Sequence, residues 1–248
     1  MPMAGCHISR GKFIVTGGNG IMKKYVLGAL GTAALCYSIV PTYGGKLLHR
    51  LRRPEPDDTL YLTFDDGPDP VYTPQLLDLL SEYGIHASFF VVAQSAQRNP
   101  GLIARMKREG HLIGLHSLQH KNGMLQPPIS ACRDFVHAAC IMQQLGAPAF
   151  YYRAPWGHWN LACLAELYSY GMKPVLWDVM AQDWRGDTTA KEIAQKLRRR
   201  TCGGSILCLH DGRGKNDAPA RTIAALHDVL PDWLDAGFRF DTVDHYEH

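Results

Sequence analysis

The stretch Leu60-Tyr-Leu-Thr-Phe-Asp-Asp-Gly-Pro-Asp-Pro70 changes character halfway along its length. Its first half is apolar, aromatic and β-branched, which is typical of a strand. The Asp-Gly-Pro sequence then ends the strand and turns the chain. Taken alone, the adjacent carboxylates Asp65 and Asp66 fit an ordinary polar turn as well as a reactive site, so the surrounding sequence has to decide between the two.

Outward from this strand, the pattern alternates regularly between short β-rich runs and longer helical segments that start at Thr-Pro or Asn-Pro and end at Gly. Seven strands alternating with six helices predict parallel pairing through crossovers, either in a closed barrel or in an open sheet. The predicted strands are 59–64, 88–92, 111–115, 150–153, 174–178, 205–209 and 238–242, and the predicted helices are 73–83, 99–110, 129–145, 160–170, 188–200 and 219–236, the last with Pro231 as a candidate break.

Residues with acid–base or metal-binding chemistry recur at the carboxyl ends of these predicted strands. In parallel α/β barrels that rim is where active sites are built. Turn formation accounts for Asp at such positions but not for His and Arg, so the sequence predicts one shared site. The residues concerned are Asp65 and Asp66, His116 and His120, Arg153, Asp178 and Asp183, and His210 and Asp211.

The segment His116-Ser-Leu-Gln-His120 places two imidazoles four positions apart, close enough to face one point. Two imidazoles and one carboxylate form a three-ligand set with an open coordination position, which is typical of a catalytic metal site. Two adjacent carboxylates allow one to bind the metal while the other stays free as a base, and a nearby Arg keeps that base ionised.

The charge distribution separates the first 53 residues from the rest. Residues 1–54 contain eight Lys and Arg and no Asp or Glu, whereas the remainder carries 18 basic residues against 23 acidic residues. A globular body with that balance is a poor nucleic-acid binder, so we expect no nucleic-acid partner. The seven scattered cysteines contain no Cys-x-x-Cys pair, so they indicate neither a zinc ribbon nor a disulfide framework.

Residues 1–53 are typical of a leader that targets a membrane. Lys23 and Lys24 precede the uncharged, apolar stretch 25–45, which fits an uncleaved membrane anchor or a cleaved signal peptide. The alternative of a buried hydrophobic helix is disfavoured because nothing upstream is able to pack against it. Translation is hypothesised to begin at Met22, and residues 54–58 are predicted to link the leader to a catalytic domain over 54–248.

Five short motifs in order resemble those of the polysaccharide deacetylase family, which is carbohydrate esterase family 4 or the NodB homology domain. The resemblance runs from about Thr59 to about Val243. It implies a distorted (β/α)7 TIM-like barrel, preceded here by the hydrophobic signal or anchor helix, and metal-dependent removal of acetyl groups from glycans. The motifs are Thr63-Phe-Asp-Asp-Gly67, His116-Ser-x-x-His120, Arg153-Ala-Pro-Trp-Gly157, Asp183-Trp184 and Ile206-Leu-Cys-Leu-His-Asp211.

The resemblance implies a role for each matching residue. Asp66, His116 and His120 would bind the metal, Asp65 would be the general base, and Arg153 would keep Asp65 ionised. Zinc suits such a ligand set, with cobalt, nickel and manganese as alternatives.

The remaining matching positions would contact the substrate or its leaving group. His210 would be the general acid, and Asp183 would orient it. The backbone N–H of Trp156 would stabilise the oxyanion, and the Trp184 side chain would form part of the wall of the acetyl pocket. Cys208 replaces the Leu that usually helps to form that pocket, and Met180 stands where the family usually has Asp.

The resemblance implies a polysaccharide N-deacetylase acting on N-acetylglucosamine residues of peptidoglycan or a chitin-like glycan. The protein would be membrane-anchored facing outside the cytoplasm, or secreted. One alternative is a deacylase or deformylase of a lipid-linked sugar, which the anchor would also serve. Another is a catalytically silent glycan-binding module with the same fold.

Overall fold

The computed structural model describes residues 18–52 and 57–246. Within these ranges the strands pair in parallel in the order β5-β4-β3-β2-β1-β7-β6, and β8 pairs with the start of β1. The sheet curls with β5 and β6 at its two ends, and the predicted (β/α)7 barrel-like fold is confirmed. The strands are β1 (Thr59–Asp65), β2 (Ser88–Val91), β3 (Leu112–Leu115), β4 (Tyr151–Tyr152), β5 (Lys173–Pro174), β6 (Val179–Met180), β7 (Ile206–His210) and β8 (Arg239–Phe240).

The helices that follow β1 form an outer layer in which each packs against its neighbour. Their order around the sheet is α8, α9, α3, α5, α4, α6 and α7. The helices are α1 (Gly18–Ala34), α2 (Val40–Leu51), α3 (Tyr72–Glu82), α4 (Ala93–Arg98), α5 (Pro100–Arg108), α6 (Pro128–Gln144), α7 (Leu161–Ser169), α8 (Ala190–Arg200) and α9 (Ala218–Asp235).

Three helical details differ from the sequence predictions. The short helix α4 was not predicted, because its amino end has no side-chain cap. Helix α3 begins at Tyr72 rather than at Thr73, since the Asp69 carboxylate accepts hydrogen bonds from the backbone of Val71 and Tyr72 at 2.8 and 3.0 Å. Helix α9 continues through Pro231 without the expected break.

The predicted strand over 174–178 is wrong in its boundaries. The chain instead forms two short strands, β5, which ends at Pro174, and β6, which begins at Val179 after the predicted segment. Val175 donates to the Tyr152 carbonyl at 2.9 Å on one edge of the sheet, and Asp178 donates to Ile206 at 2.9 Å on the other. This segment therefore crosses the open side of the barrel instead of lying in the sheet.

Alternation along β1 and β7 decides which side chains enter the site. Strand β1 is buried along its whole length. Its register with β7 pairs Thr63 with Cys208 and Asp65 with His210. Because successive side chains of a strand point to opposite faces, these four lie on one face while the intervening residues enter the main core. The core residues are Leu60, Leu62 and Phe64 of β1 and Leu207 and Leu209 of β7.

A continuous helix precedes the barrel, made of α1, a π-helical turn (Leu35–Ile39) and α2. Over Met22–Leu51 it is long and apolar enough to cross a membrane, judged by length and composition alone. Its second half contacts the body, although the sequence suggested no packing partner. The hypothesised start at Met22 stays a prediction, and residues 1–17 lie outside the described residues. Of the predicted linker 54–58, only residues 57 and 58 are described, and the domain boundary at 53/54 stays a prediction.

Candidate active site

A cleft of about 1220 Å³ opens at the carboxyl ends of the strands. The loops after β1, β3, β4, β6 and β7 contribute to it, as the positions of most of the polar residues in the sequence predicted, but Asp178 lies outside the cleft and contacts His49 and the Ile206 backbone instead. Side chains from positions far apart in the chain meet here. Its lining includes Asp65, Asp66, His116, His120, Trp156, Trp184, Cys208 and His210.

Asp66, His116 and His120 form a compact cluster, with one potential ligand atom from each residue lying within 4.8 Å of the others. The Asp66 Oδ1 atom is 2.9 Å from His120 Nε2 and 3.5 Å from His116 Nε2. The ring of His116 is fixed by a 2.8 Å contact between its Nδ1 and the Arg153 carbonyl, so its Nε2 faces the cluster. Such an outer contact orients a metal-binding imidazole.

The protonation states of this cluster suit a divalent metal. Burial lowers the pKa of His116, which favours the neutral, metal-binding imidazole. Burial acts to raise the pKa of Asp66, but the contact with His120 and the neighbouring imidazoles outweigh it and hold that pKa at about 2. Despite the short distance to His120, the geometry leaves buried Asp66 Oδ1 without a hydrogen-bond partner in the described part of the chain. The residues therefore fit a metal such as zinc.

Five residues that line the cleft adopt left-handed backbone conformations that non-glycine residues rarely use. The φ angles are +79° at Asp66, +57° at His120, +55° at Trp156, +57° at Arg213 and +52° at Asn216. Such conformations cost on the order of 1–3 kcal/mol each and cluster at functional sites. At Asp66 the conformation follows the end of β1, where the side chain turns from the strand toward the histidines.

Asp65 is buried on the inner face of β1 and pairs with the fully buried Arg153. The Arg153 Nη1 atom donates to Asp65 Oδ1 at 2.8 Å and to Thr63 Oγ1 at 2.6 Å. The guanidinium also packs over the Phe90 ring, 4.2 Å from its centre. The second carboxylate oxygen, Oδ2, lies 3.5 Å from the Cys208 thiol. The buried negative charge is thus compensated while one carboxylate oxygen faces the cleft.

His210 pairs with the fully buried Asp183 through a 2.9 Å contact between Nδ1 and Oδ1. The other oxygen of Asp183 accepts hydrogen bonds from the His210 backbone at 2.8 Å and from Thr222 Oγ1 at 2.9 Å. Burial acts to lower the pKa of His210, but the Asp183 carboxylate outweighs it and raises that pKa to about 9. The imidazolium form is therefore favoured near neutral pH.

Asp211 supports the turn that carries Asp66, a role that sequence reasoning missed. Its carboxylate accepts hydrogen bonds from the Gly67 backbone at 3.1 Å and from Thr73 Oγ1 at 2.6 Å. A Cβ at position 67 would lie 2.1 Å from Asp211 Oδ2, so only glycine fits there. Burial, followed by the neighbouring Asp66 charge, raises the pKa of Asp211 to about 7. The sequence feature that could have indicated this role is the position of Asp211 directly after His210 in the last motif.

The three residues predicted to contact substrate all line the cleft. Trp156 is half exposed, with its ring centre 4.2 Å from that of His120. Trp184 is also partly exposed at the rim, whereas Cys208 is buried beside Asp65. Met180, where the family usually has Asp, lines the same cleft. The roles assigned to these residues from the sequence stay predictions.

Sequence reasoning also missed a polar rim around the cleft. It comes from loops outside the five motifs, and nothing in the local pattern marked it as part of a site. The rim includes Arg185, Asp187, Arg213, Lys215 and Asn216.

Comparisons with known proteins agree with this geometry. A family model described as polysaccharide deacetylase matches residues 52–175. The chain is 34% identical over 200 residues to a peptidoglycan-N-acetylglucosamine deacetylase from Bacillus cereus, an alignment that covers 79% of this chain and 92% of that protein. It is 36% identical over 198 residues to a chitooligosaccharide deacetylase from Sinorhizobium fredii, covering 73% of this chain and 87% of that protein.

A solved structure, the Bc1960 peptidoglycan N-acetylglucosamine deacetylase, superposes with a TM-score of 0.72 at 26% identity. The match covers 78% of this chain and 89% of that one. The fold, the motif order and the sequence identity agree, and the resemblance seen in the motifs is confirmed. The chain belongs to the polysaccharide deacetylase family.

Proposed function

We propose that the protein is a metal-dependent polysaccharide N-deacetylase that hydrolyses N-acetyl groups of N-acetylglucosamine residues. One observation carries the proposal: a single cleft holds a three-ligand cluster, a carboxylate paired with a buried Arg and an imidazole paired with a buried Asp. These are the parts needed to bind a metal, to accept a proton from water and to donate a proton to an amine. A glycan-binding module has no use for both a base and an acid.

Asp66, His116 and His120 would hold the divalent metal, with zinc as the first candidate and cobalt, nickel or manganese as alternatives. When bound, the metal would supply Lewis acidity that polarises the acyl carbonyl and acidifies water. The contact between His116 and the Arg153 carbonyl supports this assignment, because it aims the free imidazole nitrogen at the cluster.

Asp65 would accept the proton of the attacking water as the general base. Its pairing with Arg153 would keep the carboxylate ionised in a buried position, and Thr63 would fix the guanidinium in place. Because Asp65 lies 3.9 Å from His116 Nε2, the base and the metal ligands border the same point in the cleft.

His210 would donate its proton to the amine as the C–N bond breaks, so that water and the amide yield acetate and a free amino sugar. Asp183 would orient the imidazolium and hold its charge. The register that pairs His210 with Asp65 supports an acid and a base on adjoining strands.

The backbone N–H of Trp156 would stabilise the oxyanion. The acetyl methyl would lie between Trp184 and Cys208, both of which line the cleft. The half-exposed indole of Trp156 offers a face on which a sugar ring can stack.

The substrate would be peptidoglycan or a chitin-like oligosaccharide, as the names of the Bacillus and Sinorhizobium relatives suggest. Residues 1–53 would act as a signal or membrane anchor, with the catalytic residues in 54–248 outside the cytoplasm. A second candidate substrate is a lipid-linked acylated sugar. It is favoured by the contact of α2 with the loop that follows Trp156, on the wall of the cleft.

The test uses the full chain in mild detergent, stripped of metal and then loaded separately with zinc, cobalt, nickel or manganese. Bound metal is counted by mass spectrometry, and acetate release is measured on N-acetylglucosamine oligomers, peptidoglycan and a lipid-linked acylated sugar. Metal-dependent release from the first two supports the proposal, and the preferred polymer identifies the substrate. Release from the lipid-linked sugar alone selects the second candidate, and glycan binding without release from any of them contradicts both.

A further inference from the structure

In the second half of the continuous helix that precedes the barrel, polar side chains face the body and apolar side chains face outward. This is the reverse of a helix on a water-facing surface. Most side chains that turn toward the barrel are polar, namely Tyr37, Ser38, Thr42, Lys46 and His49, with Pro41 among them, and Thr42 is fully buried. Most side chains that turn away are apolar and exposed, namely Leu35, Ile39, Val40, Tyr43, Leu47, Leu48 and Leu51, and Cys36 and Arg50 are exposed beside them. In water a surface helix presents the opposite arrangement, because its apolar side faces the core.

Specific contacts hold the polar face to the body. Thr42 Oγ1 donates to the Trp159 carbonyl at 3.1 Å and accepts from the Trp159 N–H at 2.8 Å. His49 Nε2 lies 3.2 Å from Asp178 Oδ1 near the other end of α2. A Cβ on Gly157 would lie 3.3 Å from Lys46 Cε, so the Lys stem also packs on the loop after Trp156. Because these contacts hold α2 on the body, its outward apolar face has a defined orientation relative to the body.

The charge pattern along the helix fits the thickness of a bilayer. No charged residue occurs from Tyr25 to Gly45, a stretch of 21 residues that spans about 31 Å as a helix. A bilayer hydrocarbon core is about 30 Å thick. Lys23 and Lys24 would then lie at one headgroup layer and Lys46 at the other.

With Lys46 at the headgroup layer, part of the body would lie deeper in the membrane than the headgroups. Ser38 is eight residues before Lys46, or about 12 Å along the helix. Its hydroxyl donates to the Met124 carbonyl at 3.3 Å, and the Tyr37 hydroxyl donates to the Gln126 carbonyl at 3.1 Å. Leu125 lies between those two carbonyls and is 80% exposed.

The apolar surface continues from Leu125 onto the start of α6. Ile129 is 73% exposed, and it lines a shallow groove with Pro128, Cys132, Val136 and Cys140, to which the exposed Arg133 and His137 also contribute. An interfacial segment that buries apolar side chains enters a membrane to a depth of about 5–10 Å. Because Ser38 lies about 12 Å from Lys46 along the helix, the body residues that contact Ser38 would lie close to that depth.

We propose that the catalytic body lies against the outer leaflet of a lipid bilayer, with the outward residues of α2 that precede Lys46 (Val40 and Tyr43), Leu125 and Ile129 in contact with acyl chains. The helix would cross the membrane through α1 and the first turns of α2, and its polar face would hold the body at the surface. The Trp156–Trp159 wall of the cleft would then lie at headgroup height. The residues that contact lipid include none of the proposed catalytic residues, so the surface does not depend on the reaction, whereas the choice of the outer leaflet rests on the extracytoplasmic location proposed above.

The test reconstitutes the full chain into phosphatidylcholine and phosphatidylglycerol vesicles that contain a phospholipid with a diazirine on its acyl chain. After photolysis, lipid adducts are mapped by peptide mass spectrometry. We expect adducts on α1, on Val40 and Tyr43 of α2 and on the 123–129 segment, but not around exposed Val71 or Leu234, which lie at or on the helices α3 and α9. Leu125→Glu should reduce adducts in 123–129 by about tenfold, since a carboxylate resists burial in lipid, whereas Leu234→Glu should leave them unchanged.

Each other result contradicts the proposal. Adducts confined to α1 would show that the body lies away from the bilayer. Crosslinks between two copies through the outward face of α2 would show that a second molecule covers that face. A mature amino terminus beyond α1 in the native membrane fraction would show that the helix is removed. Acetate release in the same samples separates these outcomes from a failure of the proposed activity.

Discussion

Asp65 and His210 occupy paired positions on the adjacent parallel strands β1 and β7. Asp65 is bonded to Arg153, and His210 is bonded to Asp183, so each carries its own buried partner of opposite charge. The Arg153 guanidinium compensates the charge of the Asp65 carboxylate, and the Asp183 carboxylate outweighs burial and raises the pKa of His210 to about 9, so a proton acceptor and a proton donor lie on the same face of the sheet. This arrangement is the physical basis for assigning them as base and acid.

Replacing Asp65 with Asn should separate metal binding from turnover. The side chain keeps its shape but loses its ability to accept a proton, and general-base catalysis contributes about 100- to 10,000-fold. We expect metal content close to that of the wild type and kcat lowered by that factor. Asp78→Asn, at an exposed carboxylate paired with Arg105, is the matched control and should change neither quantity. Unchanged kcat in Asp65→Asn would refute the base assignment.

His116→Ala should abolish both metal binding and turnover. The imidazole is one of three potential ligands, and losing even an outer partner of a metal ligand typically costs 10–100-fold in affinity, so we expect a loss of at least about 100-fold. Titration with zinc, followed by mass spectrometry of the bound metal, measures this directly. His111→Gln is the control, because His111 lies outside the cluster and its ring accepts from Ala87 N–H. Wild-type zinc affinity in His116→Ala would contradict the ligand assignment.

The alkaline limb of the pH–rate profile should report on His210. The pKa of His210 is raised to about 9, so the protonated acid is present below that pH and is lost as the pH rises through it. Asp183→Asn removes the raising charge and should move the alkaline limb to lower pH. Asp232→Asn, at an exposed carboxylate paired with Arg198, should leave the limb in place. An unshifted limb in Asp183→Asn would show that another group controls the alkaline side.

Arg153→Met should destabilise the fold as well as inactivate the enzyme. The change leaves the buried Asp65 carboxylate without its cation, and removing one partner of a buried ion pair costs about 3–5 kcal/mol. Urea unfolding in mild detergent measures the loss. Adding Asp65→Asn to Arg153→Met should restore part of the stability but none of the activity. Additive losses in the double variant would mean that the two residues do not interact.

The sequence was sufficient to predict the alternating fold and the residues of the five motifs that meet in the cleft, but not its polar rim, and it wrongly placed Asp178 in the site. Strand ends are marked locally by turn residues such as Asp-Gly-Pro after Phe64, and parallel strands bring those ends to one edge of the sheet. What it did not reveal is the direction of each side chain. Asp65 and Asp66 are adjacent in sequence, yet one stays on the inner face of β1 while the other turns toward the histidines through a left-handed backbone.

The features that were missed depend on contacts between distant parts of the chain. Asp211 acts through Gly67 and Thr73, far away in sequence. Segment 174–178 has strand-like residues, but its hydrogen bonds go to two opposite edges of the sheet. The packing of α2 on the barrel rests on a few polar residues such as Thr42, which no apolar pattern could indicate.

Acetate release by the metal-stripped full chain, measured before and after zinc is restored and beside Asp65→Asn, addresses the proposed chemistry most directly. N-acetylglucosamine oligomers and peptidoglycan serve as substrates. We predict release only from the zinc-loaded wild type, with Asp65→Asn binding zinc but remaining inactive. Equal release with and without zinc, or full activity in Asp65→Asn, would contradict a metal-dependent deacetylase that uses Asp65 as its base.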